Sequence, residues 1–183
     1  TSHSIDEMVG ARVFFKCENF QKVGAFKMRG AVNAIFSIRP EDRVRGFATH
    51  SSGNHAQAVA LASRLAGVKA YIVMPENSAE VKKNAVIGYG AEVVFCEPTL
   101  KSREETLKKL IKQTGATFIP PYNDPAIIAG QATAAKELME EVVDLHFILA
   151  PVGGGGLASG TALACHYLSP STKVLGAEPE KAN

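Results

Sequence analysis

The feature that most constrains this chain is a regular alternation of short apolar runs with helical stretches. Ala70–Met74 reads AYIVM and Phe147–Ala150 reads FILA. Runs that are apolar throughout are what strands buried on both faces of a sheet need. Between them lie segments of helical period. Asn54–Ala66 sets Leu61 and Leu65 one turn apart, and Ser102–Thr114 gathers Leu107, Leu110 and Ile111 on one side. Gly67 and Gly115 follow these two segments as stops. The same reading predicts strands at Arg12–Glu18, Gly46–Thr49, Glu92–Cys96, Thr117–Ile119, His146–Ala150 and Lys173–Ala177. It predicts helices at Lys27–Ile38, Ala79–Ile87, Gly155–Leu168 and from Asp124, an N-cap followed by Pro125, to about Glu141. Strands alternating with helices imply right-handed crossovers and mostly parallel sheets, so the expected class is α/β with twisted sheets flanked by helices.

Composition excludes several other classes. With 183 residues, 46% hydrophobic and 21% charged, the chain is neither disordered, collagen-like nor a disulfide knot. A net charge of +2 gives no warrant for a nucleic-acid partner. No apolar run approaches the roughly 18 residues a bilayer span requires. Cys17, Cys96 and Cys165 form no CxxC pair, and a sparse odd count suits a reducing compartment. A cytosolic protein is the expectation, with no membrane partner.

In parallel α/β sheets ligands gather where strands run into helices. Three such loops carry unusual chemistry. Gly153, Gly154, Gly155 and Gly156 precede a helix, where backbone N–H groups and the positive helix end suit a phosphate. A tight turn without a ligand is the plainer alternative. The run is neither GxGxxG nor a P-loop, which argues against a dinucleotide and against ATP hydrolysis. His50–Ser51–Ser52–Gly53–Asn54–His55 concentrates donors suited to a carboxylate, although ordinary capping would use one of them. No acidic or thiol group nearby completes a metal set with the two histidines. Lys27, in GAFKMRG, starts a helix whose positive end should lower its pKa, as a Schiff-base nucleophile requires; a solvated lysine is the alternative.

In combination and order, GAFKMRGA, HSSGNHAQ and PVGGGG resemble the β-family of pyridoxal-phosphate enzymes, which have the tryptophan-synthase-β fold (fold type II). Within it the chain is most similar to the serine/threonine dehydratases and eukaryotic-type serine racemases, a branch that includes 3-hydroxyaspartate dehydratases. YGAEVVFCEP, PPYNDPAIIAGQ and GAEPEKAN extend the resemblance along the whole chain. The resemblance implies that Lys27 holds pyridoxal 5'-phosphate as a Schiff base, with Phe26 against its ring. It implies that Asn54 meets the cofactor's 3-hydroxyl and that Gly153, Gly154, Gly155 and Gly156 cradle its phosphate. Ser51, Ser52, Asn54 and His55 would receive the substrate carboxylate. Lys27 would remove the α-proton from one face, and Ser52 would serve the other face in racemisation. Many threonine dehydratases carry Ala at that serine, so SSGNH favours the racemase-like branch. Arg103 matches an arginine near the substrate, suited to a hydroxyl or a second carboxylate. Tyr89 and Tyr122 are further pocket candidates.

Glu178 and the Ala182 carbonyl would help hold Mg²⁺ or Ca²⁺, a further acidic ligand falling past Asn183. Relatives are homodimers, some regulated by nucleotide. Gln57 matches one such contact, but the residues give no separate support for ATP. The implied division is a small domain over 46–123 and a partial large domain made of 1–45 and 124–183. The resemblance further implies that this chain is an excerpt of a longer enzyme. Two other readings remain: a non-catalytic phosphate-binding α/β module, and a β-replacement synthase, which SSGNH disfavours.

Overall fold

The computed structural model describes residues 1–182. Four strands form one sheet: β1 (Phe47–His50), β2 (Ala70–Pro75), β3 (Glu92–Cys96) and β4 (Thr117–Phe118). Their order is β3-β2-β1-β4 and every pair is parallel. Four helices come from the same part of the chain or pack on it: α2 (Lys27–Ser37), α3 (Asn54–Leu65), α4 (Glu80–Gly88) and α5 (Leu100–Thr114). Successive strand residues point to opposite faces, and both faces are covered. Phe47, Ile72 and Met74 join Ile35, Val59 and Val86 in one core, while Ala48, Val73 and Cys96 join Leu107 and Leu110 of α5 in another. Burying a side chain such as Phe47 or Ile72 contributes about 1.5–3 kcal/mol by transfer alone.

A second sheet pairs β5 (Phe147–Pro151) with β6 (Lys173–Ala177), again in parallel. α6 (Pro125–Glu141) packs against α2 and α7 (Gly156–Leu168), and α7 packs against β5 and β6. Close helix packing explains two glycines. A Cβ on Gly130 would stand 2.6 Å from the Arg29 carbonyl oxygen of α2, and one on Gly160 would stand 2.6 Å from the Ala132 nitrogen of α6. The three helices therefore lock with their backbones nearly touching, which fixes where α2, α6 and α7 begin.

The structure departs from the sequence reading in three places. Arg12–Glu18 is no strand: residues 12–17 have no regular structure, Glu18 opens a 3-10 turn, and among the described residues no strand lies beside the segment to bond. A short helix α1 (His3–Val9) precedes it, unannounced because it buries no residue and so shows no apolar stripe. The FILA run is covered on one face only: Ile148 and Ala150 are buried, whereas Phe147 and Leu149 are exposed. No helix among the described residues is long and apolar enough to cross a membrane.

Candidate active site

Lys27 is the first residue of α2, and the turn before it is tightly specified. Val23 and Gly24 both take left-handed φ values, +61° and +69°. For a β-branched residue that is a strained conformation, of the kind found where a functional loop is over-determined by its surroundings. From α6, the Gln131 side-chain oxygen accepts from the Gly30 N–H at 3.1 Å and the Ala126 carbonyl accepts from Asn33 at 2.7 Å. Arg29 adds a charged clamp. Its guanidinium meets both Glu18 oxygens at 2.8 Å and both Glu137 oxygens at 2.6 and 2.7 Å, and donates to the Thr133 hydroxyl.

So held, Lys27 donates from Nζ to the Pro121 carbonyl. Its pKa is lowered, as expected, but by burial rather than by the helix end. Lys27 shares a cavity of about 230 Å³ with Phe26, Tyr122 and Gly153–Gly156. The four glycines serve different ends. Gly155 is the α7 N-cap at φ +86°, a conformation that favours glycine. A Cβ on Gly153 or Gly155 would meet nothing within 4 Å, so their sides face open space. A Cβ on Gly154 or Gly156 would run into Tyr122.

The second cluster lies at the carboxyl end of β1. Ser51 accepts from the Gly53 N–H at 3.2 Å, a local turn that sets up α3. Ser52 is half-buried beside it and Asn54, the first residue of α3, is exposed. His55 is buried, with Nε2 3.0 Å from the Ile119 carbonyl. A carbonyl only accepts, so Nε2 carries the proton and Nδ1, which has no protein partner, is bare. Burial, the largest influence, and the nearby Lys27 charge together bring its pKa to about 4, against the Ile119 hydrogen bond. The ring is neutral near pH 7 and its single N–H is committed to Ile119. Any part His55 takes in receiving a carboxylate therefore falls to its backbone N–H, because the ring N–H is already used.

The two clusters are joined through one segment. Ile119 accepts from both His55 and Thr49, and Pro121, two residues on, accepts from Lys27. Sequence reasoning missed Thr49, Gln131 and the carbonyls of Ile119 and Pro121. Backbone acceptors leave no side-chain signature, although the Pro120–Pro121 pair between strand and helix marks a rigid crossing. Arg103 lies in the first turn of α5, close enough to His50 for its charge to act on that ring. Its Nε is buried and has no protein partner.

Helix starts differ in how their first-turn N–H groups are met, and the lack of a cap is not confined to the site, since α1 and α4 also have no side-chain cap. Asp124 caps α6, accepting from the Ala126 and Ile127 N–H groups, and Thr99 caps α5. The starts of α2, α3 and α7, which carry Lys27, the HSSGNH loop and the glycine run, have no side-chain cap. Their first-turn N–H groups and partial positive charge are left for an anion.

Glu178 is exposed and Ala182 ends a short 3-10 turn, Glu180–Ala182. Among the described residues no cluster of three His, Cys, Asp or Glu side chains is placed to hold a metal. One exposed carboxylate and a carbonyl do not supply the six or more oxygens that Mg²⁺ or Ca²⁺ takes, so the described residues do not complete the expected cation site.

Fold and site together define a parallel α/β protein with a half-buried lysine beside an anion cradle. The chain belongs to the pyridoxal-phosphate dependent enzyme family, whose model matches residues 1–183. It is 50% identical over 183 residues to a β-hydroxyaspartate dehydratase of Paracoccus denitrificans, covering 100% of this chain and 58% of that protein. It is 51% identical over 179 residues to a serine racemase of Dictyostelium discoideum, covering 98% of this chain and 55% of that protein. Among solved structures, a maize serine racemase superposes with a TM-score of 0.97 at 48% identity, covering 98% of this chain and 55% of that one. The chain thus spans little more than half the length of these relatives.

Proposed function

We propose that this chain is the part of a pyridoxal-phosphate enzyme that holds the cofactor and the substrate carboxylate, and that the whole protein dehydrates or racemises a small β-hydroxy amino acid. Serine is the first candidate substrate; threonine and 3-hydroxyaspartate are the alternatives. The observation that carries the reading is the meeting of a half-buried, pKa-lowered lysine and an uncapped glycine turn in one cavity. These residues fit the cofactor: Lys27 supplies an amine whose pKa burial lowers, Gly153 and Gly155 leave room for phosphate oxygens, and α7 offers its free N–H groups.

When bound, pyridoxal phosphate acts as an electron sink for negative charge at the substrate α-carbon. The rest is work for the chain. Phe26 and Tyr122 wall the cavity and limit water around the Lys27 amine. Burial lowers the pKa of that amine, which favours its acting as a base, and Nζ would take the α-proton from one face. Ser51, Ser52, Asn54 and the uncapped start of α3 would orient the carboxylate. The Ser52 hydroxyl would return a proton on the opposite face, giving racemisation. Loss of the β-hydroxyl instead gives, overall, a 2-oxo acid and ammonia. Arg103 would meet the substrate side chain through its guanidinium.

The division into domains 46–123 and 1–45 with 124–183 belongs to this proposal, as do a homodimer and a cytosolic location. The sheets support the first, and the resemblance supports the others.

The test uses full-length protein supplied with L-serine, D-serine, L-threonine and 3-hydroxyaspartate, assayed for 2-oxo acid and for change of chirality. Turnover of at least one is expected, and borohydride should fix the cofactor to Lys27. Failure to fix pyridoxal phosphate at Lys27 and failure to turn over all four would together sink the reading.

A further inference from the structure

The glycine run has four members, yet only two have open space where a side chain would go. At Gly154 a Cβ would stand 2.2, 2.3 and 2.6 Å from Cδ1, Cγ and Cε1 of the Tyr122 ring. At Gly156 it would stand 3.1–3.2 Å from the carbonyl oxygen, Cα and Cβ of the same residue. Gly154 and Gly156 therefore answer to Tyr122, not to an anion. Tyr122 is 43% exposed, but its backbone is tightly placed. It follows Pro121, whose carbonyl holds Lys27, and its own carbonyl accepts from the Asp124 N–H at 3.1 Å. Two residues later Asp124 caps α6, and Gly160 locks α6 against α7. The ring is thus carried by the α6 start and pressed onto the turn before α7.

We propose that Tyr122 is a positioning residue for the cofactor: its ring braces Gly154, fixes the shape of the turn and closes one side of the phosphate cradle against water. This rests on the reading that pyridoxal phosphate occupies the cavity. With the ring in place, the peptides of the turn keep the arrangement in which Gly153 and Gly155 stay open and the α7 N–H groups face inward from one side only. Without it, the turn gains freedom and its N–H groups gain water, so phosphate is held less firmly. Pyridoxal, which lacks the phosphate, should scarcely notice.

The test measures affinity for pyridoxal phosphate and for pyridoxal, by absorbance titration, in full-length wild type, Tyr122→Phe, Tyr122→Ala, Gly154→Ala and the double variant Gly154→Ala/Tyr122→Ala. Apo-protein melting is recorded alongside. Tyr122→Phe should bind like wild type, since the ring remains. Tyr122→Ala should bind pyridoxal phosphate about tenfold more weakly with pyridoxal nearly unchanged, the scale of one lost aromatic contact. Gly154→Ala should lower the melting temperature and bind still more weakly, and the double variant should recover part of both losses because the obstructing ring is gone. Equal losses for the two ligands in Tyr122→Ala would overturn the positioning role. Additive losses in the double variant, or a harmless Gly154→Ala, would overturn the bracing. If Gly154→Ala does not fold, a folded double variant supports bracing and the Tyr122→Ala ligand preference still decides the role. A wild type that binds neither ligand instead removes the parent reading, while the melting data still report whether ring and glycine are coupled.

Discussion

Phe47 and Phe147 each begin a parallel strand followed by a helix, yet one is 0% exposed and the other 52%. Around Phe47 the four-stranded sheet has helices on both faces. Around Phe147 the two-stranded sheet shows one buried set, Ile148 and Ala150, and one bare set that includes Leu149 at 66% exposure. Beside this second sheet lies an apolar groove of about 1290 Å³ bordered by Val13, Phe15, Phe147 and Leu149. The difference teaches that a run of apolar residues states a demand for cover on both faces and says nothing about which atoms meet it.

The largest predicted effect breaks or upholds that contrast directly. Phe47→Ala should destabilise the chain by about 3–5 kcal/mol, the usual range for emptying a packed aromatic site. Phe147→Ala should lie within about 0.5 kcal/mol of wild type, as exposed substitutions do. Denaturant unfolding of both variants gives the answer, and equal losses would show that Phe147 is covered in solution.

What was legible in the sequence follows the same line. The central strands β1 and β2 were readable because both their faces are packed by nearby chain, so apolar run and burial agree. Arg12–Glu18 has the composition of a strand, but composition cannot supply a neighbour to bond with. At the site, Lys27 and the glycine run were visible as side-chain anomalies. The commitment of the His55 ring to Ile119, and of Gly154 and Gly156 to Tyr122, were not, because each depends on a partner far along the chain.

A second, smaller effect tests what ties the two regions together. Arg29 is largely buried and bridges Glu18 and Glu137, and Lys16 also meets Glu137 at 2.8 Å. Removing the guanidinium leaves Glu18 without its cation and Glu137 with Lys16 alone. Arg29→Ala should therefore destabilise by about 2–3 kcal/mol, short of a fully buried pair because Glu137 keeps solvent contact. The pH dependence has a definite sign. The hydrogen bonds from Arg29 and Lys16 lower the Glu137 pKa from 4.5 to about 2. Its contribution to stability is present above pH 4.5 and is lost as pH falls toward 2. In Arg29→Ala that acid limb should flatten, measured as unfolding free energy against pH. An unchanged limb would mean that Glu137 is not paired in solution.

The smallest effect concerns how α6 begins. Asp124 accepts from Ala126 at 2.9 Å and Ile127 at 3.2 Å, and Asp124→Ala should cost about 1 kcal/mol. Asp124→Asn, an equally good cap, should restore most of it. The contrast with α7 explains why the two starts are built differently. At α6 a carboxylate from the chain itself satisfies the first-turn N–H groups, so no ligand is needed there. At α7 the corresponding position is Gly155 at φ +86°, where a capping side chain would be strained, and the N–H groups stay unmet by the chain. The two helices are packed together, so fixing α6 with its own cap holds the open start of α7 in place. Thermal melts of Asp124→Ala with and without pyridoxal phosphate read this out. The loss should be similar in both, since the cap acts through the fold; a loss seen only with the cofactor would mean that Asp124 belongs to the binding site and not to the frame that carries it.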